Sequence, residues 1–348
     1  MRAAIFKGIG KPLDIGSVDD PKCEPGGIVL KVHYCGICGS DLHATQEGTF
    51  VAPPGTILGH EFCGEIVESR APGWKVGELV TALPNSACVD CRCAGLGACK
   101  DDLGILCPNN RITGYAPETP GALAEYIQVQ SAQALKLPSA VSSRHGATVE
   151  PLAVGVHAVD KGKVKLGDRV LVIGGGPIGL AVVASAKLAG AVEVVVSEFA
   201  DMRRNTSLAF GATGTIDPAK EEVGPAFAKI AGGPPDVIFE CVGVKGMLQQ
   251  CVDLSAPRGR IVVVGVCMQP DTVVPQAAIF KEVNVQFILG YQKPDWRMVL
   301  ELLDRKSIDP EPMITDVIPL DRLPAEFEAL RKPSKQIKLL VNPNGLGQ

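Results

Sequence analysis

The sequence predicts a two-domain α/β protein, in which an antiparallel, β-rich domain is joined to a domain with a doubly wound parallel sheet. The chain has 348 residues, which favours two domains at roughly 100–200 residues each. Short runs of alternating apolar and polar residues, separated by glycine and proline, fill residues 1–150. Beyond them, apolar strand candidates alternate with helical stretches, which is the pattern of a parallel sheet covered by helices.

Composition and charge exclude several classes of function. Hydrophobic residues make up 46% of the chain, which excludes general disorder. The 34 basic and 38 acidic residues give a net charge of −4, so no nucleic-acid partner is expected. No uncharged run reaches the ~20 apolar residues of a membrane span, and Lys7 follows Arg2 too closely for a signal peptide. We therefore expect a cytoplasmic protein with no membrane partner.

Period-two alternation predicts the strands of the first domain. They are Ile28–Val32, Glu65–Glu68, Glu78–Thr81 and Ala124–Val129. The tail adds an amphipathic helix at Trp296–Asp304 and a closing strand at Ile337–Val341, which we expect to pack back onto the first domain. The predicted domains are therefore residues 1–150 with 290–348, and residues 151–289.

Near-continuous valine and isoleucine runs predict the strands of the second domain, because strands buried on both faces of a parallel sheet have this composition. These strands are Val170–Ile173, Val192–Val196, Asp236–Cys241, Arg260–Val266 and Val283–Leu289. The helical stretches between them are Ile178–Leu188, Asp201–Phe210, Val223–Ile230 and Lys245–Leu254.

The first strand of the second domain runs into a glycine-rich turn. Gly174, Gly176 and Gly179 form a G-x-G-x-x-G pattern, and Pro177 and Ile178 open the helix that follows. Gly174 permits a tight turn, Gly176 lets the backbone approach a pyrophosphate, and Gly179 allows close packing of helix on strand. A strand, this turn and a helix together predict a dinucleotide site.

An acidic residue at the end of the next strand indicates which dinucleotide is bound. Glu198 lies 19 residues beyond Gly179, where a carboxylate accepts hydrogen bonds from the ribose hydroxyls and repels a 2′-phosphate. The expected cofactor is therefore NAD rather than NADP. Arg203 either flanks the adenosine or lies on a solvated helix face.

A metal-ligand constellation precedes the nucleotide motif. A thiolate, two imidazoles, carboxylates and a hydroxyl are collected in Cys38–His43 and Gly59–Glu61. Zinc takes sulfur, nitrogen and oxygen ligands, and a catalytic zinc keeps one position open. Cys38 and His60 are the natural ligand pair, and the third ligand is either Glu61 or Glu150.

Together these residues resemble the zinc-dependent medium-chain dehydrogenases of the alcohol/polyol dehydrogenase family. The matching segments cover nearly the whole chain: Cys38–His43, Gly59–Gly64, Lys75–Gly77, Gly121–Tyr126, Glu150–Ala153, Gly174–Gly179, Phe239–Gly243, Arg260–Gly265 and Lys281–Glu282. Many alcohol dehydrogenases carry a cysteine at the position of Glu150, so the glutamate is typical of the sorbitol, butanediol and threonine dehydrogenase-like branch. The resemblance implies a GroES-like catalytic domain and a Rossmann nucleotide-binding domain.

The resemblance also implies roles for individual residues. Cys38 and His60 hold the catalytic zinc, Glu61 or Glu150 completes the set directly or through water, and Asp41 orients His60. Ser40 takes the substrate proton and passes it through the nicotinamide ribose to His43. The nicotinamide lies at the ends of later strands, at Cys241, Val242, Gly243, Val264 and Gly265.

The implied reaction is reversible hydride transfer from a secondary alcohol or polyol to NAD, giving a ketone. The alternative is an amino-alcohol or threonine-type 3-hydroxy acid dehydrogenase. The ligand and relay residues argue against a zinc-free quinone or enone reductase and against a non-catalytic structural protein. Phe50, Tyr115 and Tyr291 are candidate residues for the substrate pocket. The family forms homodimers or homotetramers, often through the last strand of the nucleotide domain, here Val283–Leu289.

A second zinc is expected in a cysteine-rich loop, where four thiolates would hold a segment that has no core. The family's usual spacing is C-x2-C-x2-C-x7-C. In this chain Cys88 and Cys91 fit its beginning, Cys99 and Cys107 fit its end, and Cys93 is left over. We expect Cys88, Cys91, Cys99 and Cys107 to bind a structural zinc, with Cys93 as the alternative to Cys99.

Overall fold

The computed structural model describes residues 1–86, 104–107, 110–332 and 335–345. Its strands are β1 Arg2–Ile5, β2 Asp14–Ser17, β3 Gly27–Gly36, β4 Glu61–Ser69, β5 Leu79–Ala82, β6 Asn85–Ser86, β7 Arg111–Ile112, β8 Tyr126–Gln130, β9 Ala134–Lys136, β10 Arg169–Ile173, β11 Glu193–Ser197, β12 Gly214–Ile216, β13 Val237–Glu240, β14 Arg260–Val263, β15 Asn284–Phe287, β16 Ile314–Pro319 and β17 Lys338–Asn342.

The α-helices of the described residues are α1 Gly39–His43, α2 Ser143–Gly146, α3 Val149–Lys161, α4 Pro177–Leu188, α5 Asp201–Ala209, α6 Val223–Ala231, α7 Met247–Leu254, α8 Pro275–Lys281, α9 Lys293–Asp304 and α10 Leu323–Ala329. Within the described ranges, every helix falls short of the length and apolarity needed to cross a bilayer. The chain divides into two compact units, Met1–Glu150 with Gln292–Gln348, and Pro151–Tyr291.

The first unit contains a seven-stranded sheet. Its strand order is β16-β17-β3-β4-β5-β9, and β8 also pairs with β3. All pairs are antiparallel except β16 with β17. β17 pairs with β3 at Leu340–Gly36, so the C-terminal strand lies next to the strand that leads into α1. The core on this sheet includes Phe6, Leu30 and Phe62.

The second unit is a six-stranded parallel sheet of order β12-β11-β10-β13-β14-β15. Counted within the unit, this is order 3-2-1-4-5-6, the order of dinucleotide-binding folds that bind their ligand where the strand order reverses. Here the reversal lies between β10 and β13. The core of the sheet is aliphatic, with Leu171, Val195, Ile238 and Ile261 buried.

The predicted fold class is confirmed: a GroES-like domain and a parallel, Rossmann-type sheet. The five strands and four helices predicted for the second domain are all present, with ends that shift by a few residues. The three-residue strand β12 and the helix α8 were not predicted. The prediction of burial on both faces is wrong for β15, because all four of its residues are exposed at the edge of the sheet.

Candidate metal and nucleotide sites

The first unit brings three metal-ligating side chains together. Cys38, His60 and Glu61 place a sulfur, a ring nitrogen and a carboxylate oxygen within 4.8 Å of one another. Cys38 caps the start of α1, and Glu61 begins β4 opposite Gly36 of β3. A Cβ at position 36 would overlap Glu61 Oε2, so the glycine makes room for the carboxylate. Sulfur, nitrogen and oxygen in a mostly buried group suit a zinc ion.

Asp41 orients the imidazole of this group. Its carboxylate is fully buried, with Oδ1 3.4 Å from His60 Nδ1, while Oδ2 accepts a hydrogen bond from Cys38 N at 2.9 Å. An acid on one ring nitrogen leaves the other, Nε2, directed at the ligand group. Burial lowers the pKa of His60, but the neighbouring groups, among them the buried carboxylate of Asp41, outweigh it and raise the pKa well above the ordinary value. Surroundings that attract a proton to this ring also favour a cation.

Lys338 holds the carboxylate of Glu61. The Lys338 Nζ donates to Glu61 Oε1 at 2.7 Å and to Oε2 at 2.6 Å, and it also donates to Ile37 O at 3.0 Å. Both side chains are almost completely buried. Burial lowers the pKa of Lys338, but the nearby charges, led by Glu61, raise it overall, so the ammonium stays charged. No sequence pattern pointed to Lys338, which is distant from Glu61 in the chain.

Glu150, the other candidate for the third ligand, lies in the first turn of α3 and is buried. Its charge contributes to the raised pKa of Lys338, which places it in the same electrostatic environment. It is not part of the 4.8 Å group, whereas Glu61 is. The carboxylates of Asp41, Glu61 and Glu150 outnumber the ammonium of Lys338, so the region carries an excess of negative charge.

The two residues expected to relay a proton lie on α1. Ser40 Oγ is 3.5 Å from His60 Nε2. His43 is three residues further along, on the same face of the helix, and its Nδ1 is 3.2 Å from Gln46 Nε2 near the surface. The helix therefore leads from the ligand group toward solvent.

Aromatic residues flank the ligand group. The ring centroid of Tyr115 lies 5.4 Å from that of His60 and 5.2 Å from that of Phe50, which it meets edge-on at 65°. Burial raises the pKa of the Tyr115 phenol, which stays protonated. The third candidate pocket residue, Tyr291, is buried in the second unit.

In the second unit, the glycine turn joins β10 to α4. Gly174 has φ +98°, and a Cβ there would come within 2.9 Å of Val242 Cγ2. Gly176 caps α4, and a Cβ there would meet nothing within 4 Å. A Cβ on Gly179 would overlap the carbonyl oxygen of Gly174. Pro177 and Ile178 form the first turn of α4, whose free N–H groups favour an anion.

Glu198 follows β11 at the same edge of the sheet. Its Oε2 accepts from Gly175 N at 2.8 Å, and its Oε1 accepts from Ala200 N at 2.9 Å. Arg203 Nη1 lies 3.9 Å from Oε2. The buried carboxylate therefore braces the glycine turn and places a negative charge beside it.

The remaining predicted nucleotide residues lie on two loops held by Glu240, a residue that the sequence did not single out. Its Oε1 accepts from Val242 N at 2.7 Å and Gly243 N at 2.8 Å. Its backbone oxygen accepts from Val264 N and Gly265 N, both at 2.9 Å. Cys241 begins the first loop. Glu240 is 2% exposed; its carboxylate holds the loop after β13, and its backbone oxygen ties the end of β13 to the end of β14.

The predicted cysteine site falls largely outside the described residues. Cys88, Cys91, Cys93 and Cys99 lie there, while Cys107 is described and buried. This prediction therefore stays a prediction.

Comparison with known proteins matches both units to one family. Residues 24–139 match the alcohol dehydrogenase GroES-like domain, and residues 177–305 match the zinc-binding dehydrogenase domain. The chain belongs to the zinc-dependent medium-chain dehydrogenase/reductase family.

Individual relatives fall in the polyol branch. The chain is 35% identical to (R,R)-butanediol dehydrogenase of Bacillus subtilis (strain 168), over 96% of this chain and 97% of the relative. It is 33% identical to sorbitol dehydrogenase of Gallus gallus, over 92% and 90%. The structure of 2R,3R-butanediol dehydrogenase from Bacillus subtilis superimposes with a TM-score of 0.88 at 34% identity, covering 99% of both chains. A Sinorhizobium meliloti 1021 protein bound to NADP has a TM-score of 0.90 at 33% identity, covering 98% and 99%.

Proposed function

We propose that this zinc-binding dehydrogenase oxidises a secondary alcohol or polyol to a ketone, in a reversible reaction that passes a hydride to NAD. The observation that carries the proposal is the buried group of Cys38, His60 and Glu61 with the Ser40 hydroxyl at its edge. Membership of the family and similarity to butanediol and sorbitol dehydrogenases support it.

Cys38, His60 and Glu61 would hold the catalytic zinc, because these three lie together and Glu150 lies outside their group. Zinc, when bound, supplies Lewis acidity that lowers the pKa of an alcohol hydroxyl. Asp41 keeps His60 Nε2 available as a ligand atom, and Lys338 holds the Glu61 carboxylate in place. Glu150 adds negative charge that favours the cation.

Ser40 accepts the proton from the substrate hydroxyl, and His43 hands it to solvent. The serine oxygen lies beside His60 Nε2, and His43 follows on the same helix face closer to the surface. An imidazole has one nitrogen that donates a proton and one that accepts, which suits a residue that exchanges protons with water.

Glu198 favours NAD over NADP. Its buried carboxylate beside Gly175 accepts hydrogen bonds from ribose hydroxyls and repels the additional phosphate of NADP. Arg203, 3.9 Å away, partly offsets this repulsion.

Titration of the protein with NADH and with NADPH, followed by nicotinamide fluorescence, tests the preference for NAD. Tighter binding of NADPH contradicts that preference.

Turnover tests the reaction itself. The zinc-loaded protein is assayed for nicotinamide reduction with 2,3-butanediol, sorbitol, 2-butanol and threonine, each with NAD and NADP. Oxidation of the diol or polyol supports the proposal. Oxidation of threonine alone makes the amino-alcohol alternative correct, and no oxidation of any alcohol refutes the proposal.

Replacing Ser40 tests the relay. Ser40→Ala removes the proton acceptor, so turnover should fall by roughly 10²–10⁴-fold while the zinc content is unchanged. Ser17→Ala, an exposed serine of β2, is the matched control and should keep full activity. Unchanged turnover in Ser40→Ala with zinc bound removes Ser40 from the relay.

Three further proposals concern the whole enzyme. A structural zinc is proposed at Cys88, Cys91, Cys99 and Cys107. Elemental analysis that finds two zinc ions per chain supports it, and one zinc ion per chain counts against it.

A homodimer or homotetramer is proposed through the exposed edge strand β15. A cytoplasmic location is proposed because the eight described cysteines are free thiols, as a reducing compartment keeps them.

A further inference from the structure

Arg204 is a buried arginine that has no part in the proposed reaction. It is the fourth residue of α5 and is 9% exposed. A buried guanidinium is costly unless its charge and its hydrogens have partners. A cation near the amino end of a helix also opposes the helix dipole, so the arginine does not serve to stabilise α5. Its contacts show what it does hold.

One terminal nitrogen of Arg204 holds the turn between β11 and α5. Nη1 donates to the backbone oxygens of Glu198 and Phe199, both at 2.6 Å. On the other side of this turn, Glu198 N donates to Ile216 O at 3.1 Å. Both backbone polar groups of Glu198 therefore have partners, and the main chain that carries its carboxylate is fixed from two sides.

The other terminal nitrogen contacts two carboxylates. Nη2 donates to Asp201 Oδ1 and lies 3.3 Å from Asp217 Oδ2. Asp217 directly follows β12, and β12 is the parallel neighbour of β11. Arg204 therefore joins the carboxyl ends of two adjacent strands, at the edge of the sheet where folds of this type bind their ligands.

These contacts leave Arg204 poorly suited to bind a phosphate. Its four acceptors match the four hydrogens of the two terminal nitrogens, which commits both nitrogens to the protein. The carboxylates of Asp201 and Asp217 also balance its charge. An arginine that is available near the ribose accommodates the additional phosphate of NADP, whereas this one is occupied.

The carboxylate of Glu198 depends on the main chain that Arg204 holds. Its two oxygens accept from Gly175 N at 2.8 Å and from Ala200 N at 2.9 Å. A Cβ on Gly175 would come within 3.2 Å of Glu198 Cγ, so the stem of the side chain packs closely on the glycine turn. A displaced main chain would lengthen these bonds and move the negative charge away from the turn.

We propose that Arg204 is a positioning residue for cofactor selection: it fixes the main chain of Glu198, so that the carboxylate disfavours a 2′-phosphate. This inference rests on the proposed binding of a dinucleotide at the glycine turn. An arginine that instead attracted the phosphate would favour NADP, and its removal would change the selectivity in the opposite direction. The sign of the change therefore separates the two roles.

Replacement of Arg204 tests this role by binding alone, without a metal or turnover. Wild type, Arg204→Leu and Arg204→Lys are titrated with NADH and with NADPH, followed by nicotinamide fluorescence. The affinity for NADH relative to NADPH should fall by roughly 3- to 10-fold in Arg204→Leu, because Glu198 is no longer held. Arg204→Lys keeps the cation but loses the forked set of donors, so the ratio should fall in this variant too.

Arg260→Leu is the matched control. Arg260 Nη1 donates to Gly162 O at 3.2 Å and Nη2 lies 2.7 Å from Asp168 Oδ1, so its partners are of the same kinds. It lies at the amino end of β14, at the opposite edge of the sheet from Glu198. Arg260→Leu should lower the melting temperature but keep the wild-type ratio of affinities.

A second pair of ligands restricts the test to the adenosine half of the cofactor. Adenosine 5′-monophosphate and adenosine 2′,5′-bisphosphate differ by the 2′-phosphate and lack the nicotinamide. Calorimetric titration with each should show the same loss of selectivity in the two Arg204 variants and the wild-type selectivity in Arg260→Leu.

The outcomes separate this inference from the proposed function. A wild-type or increased ratio in the Arg204 variants overturns the role of Arg204, even where the melting temperature falls, because a purely structural residue would not change selectivity. Tighter binding of NADPH by the wild type contradicts the preference for NAD alone, while the change of the ratio between wild type and variants still decides the role of Arg204. Failure of the wild type to bind either dinucleotide overturns both.

Discussion

At the scale of single residues, the site depends on a buried ion pair. Glu61 and Lys338 are almost completely buried, and both carboxylate oxygens accept from the ammonium. Removing water from two charges is unfavourable, and only close pairing with further hydrogen bonds offsets it. The additional bond from Lys338 to Ile37 O contributes to that compensation.

In metal-free protein, Lys338→Met should therefore lower the free energy of unfolding by about 3–5 kcal/mol, because it leaves the Glu61 charge buried without a partner. The free energy of unfolding in urea measures this. The double variant Glu61→Gln/Lys338→Met should recover part of the loss. Lys7→Met, which breaks an exposed pair with Asp14, is the control and should change the value by at most ~1 kcal/mol. Equal losses of unfolding free energy in Lys338→Met and Lys7→Met contradict the interpretation.

A second ion pair, between Arg169 and Asp236, makes the free energy of unfolding depend on pH. Arg169 donates to both oxygens of Asp236 at 3.0 Å and holds the pKa of that carboxyl below its ordinary value. A carboxylate with a lowered pKa stabilises the fold above its unfolded pKa of about 3.9, and the contribution disappears as the pH falls through the lower folded pKa.

Asp236→Asn should thus cost about 1.5 kcal/mol at pH 7, and the difference from wild type should shrink as the pH falls below about 4. The free energies of unfolding of the wild type and of Asp236→Asn, measured from pH 7 to below about pH 4, test this expectation. A difference that stays constant down to pH 3 would show that the hydrogen bonds, rather than the charge, carry the effect.

At this scale the sequence predicted the residues that lie in compact motifs. Cys38, His60 and Glu61 were identified because their residue types match the ligands of one metal within a short segment. Lys338 was not identified, because it lies 277 residues from Glu61 and is brought there only by the pairing of β17 with β3. The Glu240 contacts were missed because the same carboxylate could equally have lain on a solvated strand end.

At the scale of elements, two glycines of the turn between β10 and α4 have different roles: Gly179 serves the packing of the fold, and Gly176 is proposed to serve ligand binding. Gly179 is needed for the fold, because a Cβ there would overlap the carbonyl oxygen of Gly174. Gly176 has space around it and φ −74°, so the fold itself tolerates a side chain there. Its proposed role is to let a pyrophosphate approach the backbone.

Gly176→Ala should accordingly keep the wild-type melting temperature but weaken NADH binding by roughly 10-fold or more, because the methyl group occupies the space of the phosphate. Gly179→Ala should lower both stability and affinity. Thermal unfolding and NADH fluorescence titration measure the two effects. Gly176→Ala with wild-type affinity would mean that the dinucleotide does not contact this turn.

Elements with strong local patterns were predicted well, and weakly patterned ones were missed. The valine-rich strands β10 and β11 stand out in the sequence. β12 has only three residues, Gly214–Ile216, and is a strand because it pairs with β11. The exposure of β15 was not predicted, because composition does not show whether an apolar strand lies inside a sheet or at its edge.

At the scale of the whole molecule, the second unit carries an exposed apolar surface around β15. Ile279, Phe280 and Phe287 are each more than 60% exposed, and β15 leaves one edge of the described sheet without a neighbouring strand. Exposed apolar groups on an open edge favour association with a second copy.

Phe287→Asp should shift the protein toward a monomer, because it places a charge in the proposed interface. Light scattering coupled to size-exclusion chromatography measures the mass. Val76→Asp, at a similarly exposed apolar site in the first unit, should leave the assembly unchanged. A wild type that is already monomeric, or a Phe287→Asp variant with wild-type mass, rules out β15 as the interface.

The position of Lys338 also matters for how the protein is made. The ribosome synthesises Lys338 277 residues after Glu61, so the Glu61 carboxylate stays without its ammonium partner until β17 has been made. The amino-terminal sheet of the nascent chain can bury Glu61 at a low cost in free energy only after β17 has been synthesised. Every strand of the second unit precedes β17 in the chain. Vectorial synthesis should therefore favour early folding of the nucleotide-binding unit and late maturation of the metal centre.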